Sequence, residues 1–124
     1  MSQDSLTLAA VRDELAALLI GGRIQRIVRP SELSLGLEIY TGQRYQLLLD
    51  AEPDGHGIAL SDERLRRGVE SASPLQLLLR KHVEGARLIE VTQPGLERIL
   101  RFSFSGAEGS VDLVCEIMGR LSNL

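Results

Sequence analysis

Apolar residues recur at three- and four-residue steps near the start of the chain, which is the spacing of one helix face. The repeat ends at two consecutive glycines, Gly21 and Gly22, and glycine readily takes the left-handed conformation that closes a helix. The pattern therefore predicts a first helix that ends before Gly21. The apolar positions that carry it are Leu8, Val11, Leu15, Leu18 and Leu19.

The chain then changes to the two-residue alternation of strands. Leu35, Leu37 and Ile39 alternate with polar or small residues, which predicts a strand with one face in water. The segment 45–49 is almost wholly apolar and is predicted to lie inside the sheet, after a hairpin turn at 41–43. Further strands are predicted at 23–29 and 57–60.

Two helices are predicted next. Asp62 is a candidate N-cap for a short helix around 63–68, and Pro74 begins a second helix that ends at Gly85. In the second helix, one face is predicted to carry Leu75, Leu78, Leu79 and His82.

Three more strands are predicted at 87–91, 99–104 and 111–117. Helices at the ends of antiparallel hairpins, without a βαβ alternation, indicate an α+β fold with antiparallel, sandwich-like sheets. A chain of 124 residues is the size of one domain.

Composition excludes several classes of protein. With Cys115 as the single cysteine, an internal disulfide and a cysteine-rich metal site are excluded, so no metal or cofactor is expected. No apolar run approaches the roughly 20 residues that span a bilayer, and the first residues lack the basic start of a signal peptide. We therefore expect a cytoplasmic protein with no membrane partner.

The basic residues are unevenly distributed. The whole chain has a net charge of -3, yet the segment 64–101 holds eight basic and four acidic residues. Arg80 and Lys81 fall at the predicted end of the second helix, where cations favour the helix dipole. Stabilisation of the helix is one interpretation of these two residues, and contact with phosphate groups is the other.

The sequence contains no arrangement typical of a catalytic site. His56 and His82 are far apart in sequence, and no phosphate-binding loop, dinucleotide fingerprint or nucleophile elbow occurs. We therefore expect a protein that is not an enzyme.

Several strings, in this order and spacing, resemble one family. They include the Gly-Gly-Arg-Ile string at 21–24, the Leu-Leu-Arg-Lys-His-Val-Glu-Gly string at 78–85, the Gly-Leu-Glu-Arg-Ile string at 95–99 and the Glu-Ile-Met-Gly-Arg-Leu-Ser-Asn string at 116–123. Together they resemble the N-terminal NFACT domain of the bacterial RqcH proteins, once called fibronectin-binding protein A and related to the eukaryotic nuclear export mediator factor. The resemblance covers nearly the whole chain, 1–124, which is expected to be the N-terminal part of a longer NFACT domain.

The resemblance implies a fold similar to the N-terminal domain of formamidopyrimidine-DNA glycosylase. It also implies a module of bacterial ribosome quality control that binds tRNA and the large ribosomal subunit obstructed by peptidyl-tRNA, and that supports tailing of the stalled chain. Ser2 and Gln3 stand where those glycosylases have a catalytic proline and glutamate, which disfavours base excision. The older family name leaves an alternative, an adhesin-type fibronectin-binding module.

The family's Asp-Arg pair, needed for tRNA binding, corresponds to Glu97 and Arg98 here, with an acid one methylene longer than aspartate. We add four further candidates for contact with tRNA and expect the basic ones to share one surface with Arg98. The four are Arg80, Lys81, Arg120 and Asn123.

The last predicted strand, Val111 to Met118, has one apolar face and no later strand is predicted to pair with it. Unpaired strand edges recruit other chains. The sequence therefore also predicts self-association through that edge, unless the strand lies inside the sheet.

Overall fold

In a computed structural model of the chain, the described residues are 5–52, 57–61, 63–66, 68, 73–94, 99–107, 109–116 and 120–123. They form two helices and one antiparallel sheet, so the α+β prediction is confirmed. The helices are α1 (Ser5–Leu19) and α2 (Pro74–His82). The strands are β1 (Arg23–Val28), β2 (Ser34–Tyr40), β3 (Arg44–Asp50), β4 (Gly57–Ser61), β5 (Arg87–Thr92), β6 (Ile99–Gly106), β7 (Gly109–Glu116) and β8 (Arg120–Asn123).

The sheet has two halves, each built from four consecutive strands. Its order is β4-β3-β2-β1-β5-β6-β7-β8, and every neighbouring pair is antiparallel. The halves join between β1 and β5, where the ladder contains one residue pair, Arg23 with Arg87. Main-chain hydrogen bonds on either side of that pair, such as Ile24 N–H to Ala86 O at 2.9 Å, extend the junction.

One hydrophobic cluster takes residues from both halves and from both helices. Leu37 and Leu47 enter it from the first half, Phe102 and Leu113 from the second, and Leu19 from α1. The stripe predicted for the first helix is confirmed for Leu15 and Leu19, which are buried. Aliphatic side chains fill most of this core, as the four aromatic residues of the chain require.

Strand β2 differs from its prediction, because both of its faces are covered. From Ser34 to Ile39 every residue is buried, including Gly36 and Glu38 on the face that was predicted to be wet. Residues 63–66 cross over this outer face in a non-helical conformation, so the short helix predicted around 63–68 is wrong. The missing side chain of Gly36 makes room for Leu65, whose Cδ1 would lie 2.7 Å from a Cβ at position 36.

Helix α2 confirms part of its predicted face, since Leu79 is buried and Leu75 packs against the core. Leu79 is fully buried, but Leu78 is 39% exposed, and Gln76 is buried in its place. Val83, one turn after Leu79, completes the contact with the core. The buried face is therefore shifted toward Gln76, and the apolar side chains of Leu77 and Leu78 are exposed.

The predicted open edge at Val111 to Met118 is wrong for the part that the structure describes. Strand β7 pairs with β6 on one side and with β8 on the other. Short sequences such as Arg120–Asn123 carry too little alternation to be identified as strands. Self-association through an open β7 edge therefore loses its structural basis.

Candidate nucleic-acid interface

The sequence places Arg80 and Lys81 in the last turn of α2 by means of clear start and stop signals. Ser73 Oγ accepts a hydrogen bond from Gln76 N–H at 3.1 Å, and Pro74 occupies the first turn, where its missing N–H is no loss. At the other end, Val83 N–H donates to Leu79 O at 2.7 Å. Gly85 follows with a φ of +87°, a conformation that favours glycine.

Arg80 lines a depression between α2 and β1. Its other lining residues are Arg26, Ile27, Val28 and Glu84, and its volume is about 500 Å³. The depression exists because β1 pairs with β5 only near Arg23, so the later part of β1 faces the helix instead of a strand. Two arginines from distant parts of the sequence, Arg26 and Arg80, therefore line one concave surface.

Lys81 is exposed and lines a second depression of about 340 Å³. This one lies between the end of α2 and the β6–β7 turn, and Gly106 belongs to its wall. A Cβ at Gly106 would approach His82 O to 3.1 Å, so the small residue allows the turn to come close to the helix. Glu84 borders both depressions, which places Arg80 and Lys81 on adjoining parts of the surface.

A cluster of three arginines surrounds the buried carboxylate of Glu38 on the outer face of the sheet. The distances to the Glu38 carboxylate oxygens are 3.5 Å from Arg44 Nε, 3.7 Å from Arg26 Nη1 and 3.8 Å from Arg64 Nε. Three positive charges thus face one negative charge, and the Arg44 and Arg64 side chains are 69% and 67% exposed. Such a site attracts anions while its carboxylate keeps the guanidinium groups together.

Two side chains fix the covering segment to this cluster. Arg26 Nη1 donates to Leu65 O at 2.9 Å, and Leu65 N–H donates to Gln46 Oε1 at 3.3 Å. Arg26, Glu38 and Gln46 lie opposite one another on β1, β2 and β3. The cross-strand register therefore builds the cluster and anchors residues 63–66 over it.

The sequence pattern does not reveal this cluster. The alternation in β2 predicts a solvated Glu38, and Arg64 falls in the short helix predicted around 63–68. The available signal was the pair of facing charges on neighbouring strands, Arg26 and Glu38, but the irregular pairing between Ile24 and Arg26 hides their register.

The structure locates the other predicted site residues only in part. Glu97 and Arg98 lie outside the described residues. Arg120 and Asn123 are the ends of β8, where their backbones pair with Glu116 and Leu113, and nothing is described of their side chains. A single surface that joins Arg98 and Arg120 to Arg80 and Lys81 therefore stays a prediction.

The only cysteine, Cys115, belongs to β7 and is buried in the core. Burial raises the pKa of the Cys115 thiol from 9.0 to about 12, with a smaller contribution from the charge of Glu116. Because the raised pKa belongs to the folded state, the thiol's contribution to stability is complete below about pH 9 and is lost as the pH rises toward 12.

We expect the folded protein to resist thiol reagents at pH 8. The thiolate is the reactive form, so modification by a disulfide reagent should be at least about a hundredfold slower in buffer than in denaturant. Absorbance of the released chromophore measures both rates, and the denatured sample is the control. Equal rates would contradict the buried position of Cys115.

Among the residues that the structure describes, no three His, Cys, Asp or Glu side chains come together as a metal site would require. The two described helices are also too short or too polar to cross a membrane.

Comparison with known proteins gives a consistent result. The family model for NFACT N-terminal and middle domains matches residues 4–124. Two curated relatives are both called Rqc2 homolog RqcH. The one from Bacillus subtilis (strain 168) is 32% identical over 130 residues, and the one from Streptococcus suis (strain 05ZYH33) is 35% identical over 130 residues. In both comparisons all of this chain is covered, but only 23% of the relative.

Solved structures show the same fold. The N-terminal domain of the fibronectin-binding protein PavA from Streptococcus pneumoniae superposes with a TM-score of 0.86 at 31% identity, over 98% of this chain and 48% of that one. The N-terminal part of the fibronectin/fibrinogen-binding protein from Streptococcus suis gives a TM-score of 0.87 at 32% identity, over 99% and 50%.

Proposed function

Because the chain belongs to the family of NFACT N-terminal and middle domains, we propose that it is a tRNA-binding module of a ribosome quality control factor. In this proposal the protein acts in the cytoplasm on large ribosomal subunits that still hold a stalled peptidyl-tRNA, and it supports tailing of the stalled chain. The module contributes binding, and no catalytic step is assigned to it. The RqcH relatives support the assignment to ribosome quality control.

The observation that carries the proposal is the concave surface between α2 and β1. Arg80 and Arg26 border it, and Lys81 lies on the adjoining depression. A chain with a net charge of -3 would not attract RNA as a whole, so a local concentration of arginine is needed. Arg26 connects this surface to the cluster around Glu38, where positive charge exceeds negative by two.

In the proposed interface, Arg80 and Lys81 contact phosphates, and Glu97, Arg98, Arg120 and Asn123 complete the contact with tRNA. Recognition of structured RNA relies on shape and backbone more than on base sequence. The helix dipole accounts for the position of the cations at the end of α2 but not for Arg26 of β1, which lines the same depression as Arg80.

The test is tRNA binding by the protein at several salt concentrations. Replacing Arg80 and Lys81 by glutamine should weaken binding about tenfold and lower the slope of log affinity against log salt by about 1.4 to 1.8. Fluorescence anisotropy of labelled tRNA measures both quantities.

The control variant removes the same charge elsewhere, R12Q/R29Q, and should keep the wild-type slope. Binding of tRNA that does not respond to salt would contradict the proposal. So would equal losses in R80Q/K81Q and the control.

A second candidate function, binding of fibronectin, follows from the names of the solved neighbours. Sedimentation with large ribosomal subunits and capture on immobilised fibronectin distinguish the two. We expect the protein to sediment with the subunits. Capture on fibronectin without sedimentation would favour the adhesin alternative.

A further inference from the structure

The outer face of the sheet carries a row of basic side chains around an exposed tyrosine. Cross-strand pairing places Arg44 of β3 opposite Tyr40 of β2, Tyr40 opposite Arg23 of β1, and Arg23 opposite Arg87 of β5. Residues that face each other in a ladder project from the same face, with Cβ atoms about 5 Å apart. The four side chains, called the basic row below, therefore form a continuous line across four strands.

The basic row is open to solvent. Tyr40 is 45% exposed, the Arg44 side chain is 69% exposed, and Arg23 and Arg87 are also in the exposed class. At about 4.8 Å between strands, the row extends over about 14 Å. A stacked nucleic-acid strand advances about 3.4 Å per nucleotide, so the row is long enough for about four nucleotides.

The charges of the basic row are poorly balanced within the chain. Arg23 and Arg87 face each other directly, and like charges in that position oppose pairing. Arg87 Nη1 donates to Gly21 O at 2.9 Å, a neutral acceptor. In the described part of the chain, the ion pair that reaches the row is the one between Arg44 and Glu38. An external polyanion would supply the missing negative charge.

The neighbourhood of the basic row favours RNA over an acidic protein. Tyr40 lies between two arginines, and a ring flanked by guanidinium groups is a platform on which a base stacks while its phosphates bind. Arg26 on the next row and Arg80 beyond it continue the positive surface toward α2. Toward β6 and β7 the surface becomes acidic. Ser103 of β6 is paired with Glu90 of β5 on one side and with Asp112 of β7 on the other, so two carboxylates limit the positive surface there.

We propose that the basic row binds the sugar-phosphate backbone of single-stranded or unpaired RNA, with one base stacked on Tyr40. This inference rests on the proposed function, because the RNA would be part of the tRNA that Arg80 and Lys81 contact. Glu38 acts in it as a positioning residue, which holds Arg44 and Arg26 toward the outer face.

The experiment measures labelled tRNA binding by wild type, R23Q/R44Q, Y40A and Y40F, with R12Q/R29Q as the charge-matched control. R23Q/R44Q should lower the salt slope by about 1.4 and the affinity about tenfold. Y40A should weaken binding about fivefold or more, and Y40F, which keeps the ring, should bind like wild type. Circular dichroism confirms that each variant is folded.

The outcomes separate this inference from the proposed function. If wild type binds tRNA and R23Q/R44Q and Y40A bind equally well, the basic row is not an RNA surface and the proposed function stands. If wild type does not bind tRNA, both are overturned. If polyglutamate competes as well as RNA and Y40A behaves like wild type, the row attracts acidic chains in general, which also overturns the inference.

Discussion

Replacing Phe102 by alanine is expected to lower the free energy of unfolding by about 3–5 kcal/mol. Phe102 is 1% exposed and lies opposite Val91 on one side and Leu113 on the other, in the middle of the second half of the sheet. Loss of the ring removes its transfer free energy and leaves a cavity that three rigid strands cannot fill.

Urea denaturation followed by circular dichroism measures this loss. Leu77→Ala is the control, since Leu77 is an apolar residue that is 55% exposed on α2 and its truncation should change stability by less than about 0.5 kcal/mol. A loss below about 1 kcal/mol for Phe102→Ala would show that the second half of the sheet does not form the core described above.

Replacing Gly36 by alanine should cost about 2–3 kcal/mol, although it adds a single methyl group. The new Cβ would lie 2.7 Å from Leu65 Cδ1 and 2.9 Å from Val28 Cγ2. Val28 lies opposite Gly36 on β1 and is held by the sheet. The segment 63–66 is less constrained, so it has to move. We expect Arg26 to lose its hydrogen bond to Leu65 O as a result.

A double-mutant cycle with Leu65→Ala isolates that clash. Leu65→Ala alone should cost about 1 kcal/mol because Leu65 is half-buried, and it removes the 2.7 Å contact with Leu65 Cδ1 while the contact with Val28 Cγ2 remains. The double variant should therefore lose less stability than the sum of the two single losses, with a coupling energy of about 1 kcal/mol or more. Additive losses in denaturant unfolding would mean that Leu65 does not cover Gly36.

Sequence predicted the elements of this fold well where the pairing is local. Seven of the eight strands and both helices in the described part of the chain follow from periodicity, because each hairpin has its turn within a few residues. The hairpin at Gly42 is an example, since its φ of +77° is one that glycine adopts readily. Strand β8 could not be predicted because four residues hold too little pattern.

Errors concentrate where distant segments meet. Glu38 looks solvated in the sequence, yet residues 63–66 arrive from across the sheet to cover its face. The buried face of α2 likewise depends on how the helix lies on β1, and Gln76 rather than Leu78 turns inward. Periodicity reports one face of one element, so it cannot indicate what a later segment will cover.

The residues of the candidate site also divide into those fixed by local signals and those that depend on distant pairing. Arg80 and Lys81 were predictable, because capping signals fix the end of α2 and the charges fall there. The shared face of Arg23, Arg26 and Arg44 was not predictable. It depends on the cross-strand register and on an irregularity between Ile24 and Arg26. A one-residue shift in β1 would move these side chains to the other face.

The narrow junction between β1 and β5 has a consequence for the order of folding. Within each half, every strand pairs with its neighbour in sequence, so these contacts close short loops and form early. The Arg23–Arg87 pair closes a loop of more than sixty residues and places two arginines opposite each other. We therefore expect both meanders to be largely formed in the transition state and this junction to form late. Substitutions at the junction should accelerate unfolding and leave the folding rate nearly unchanged.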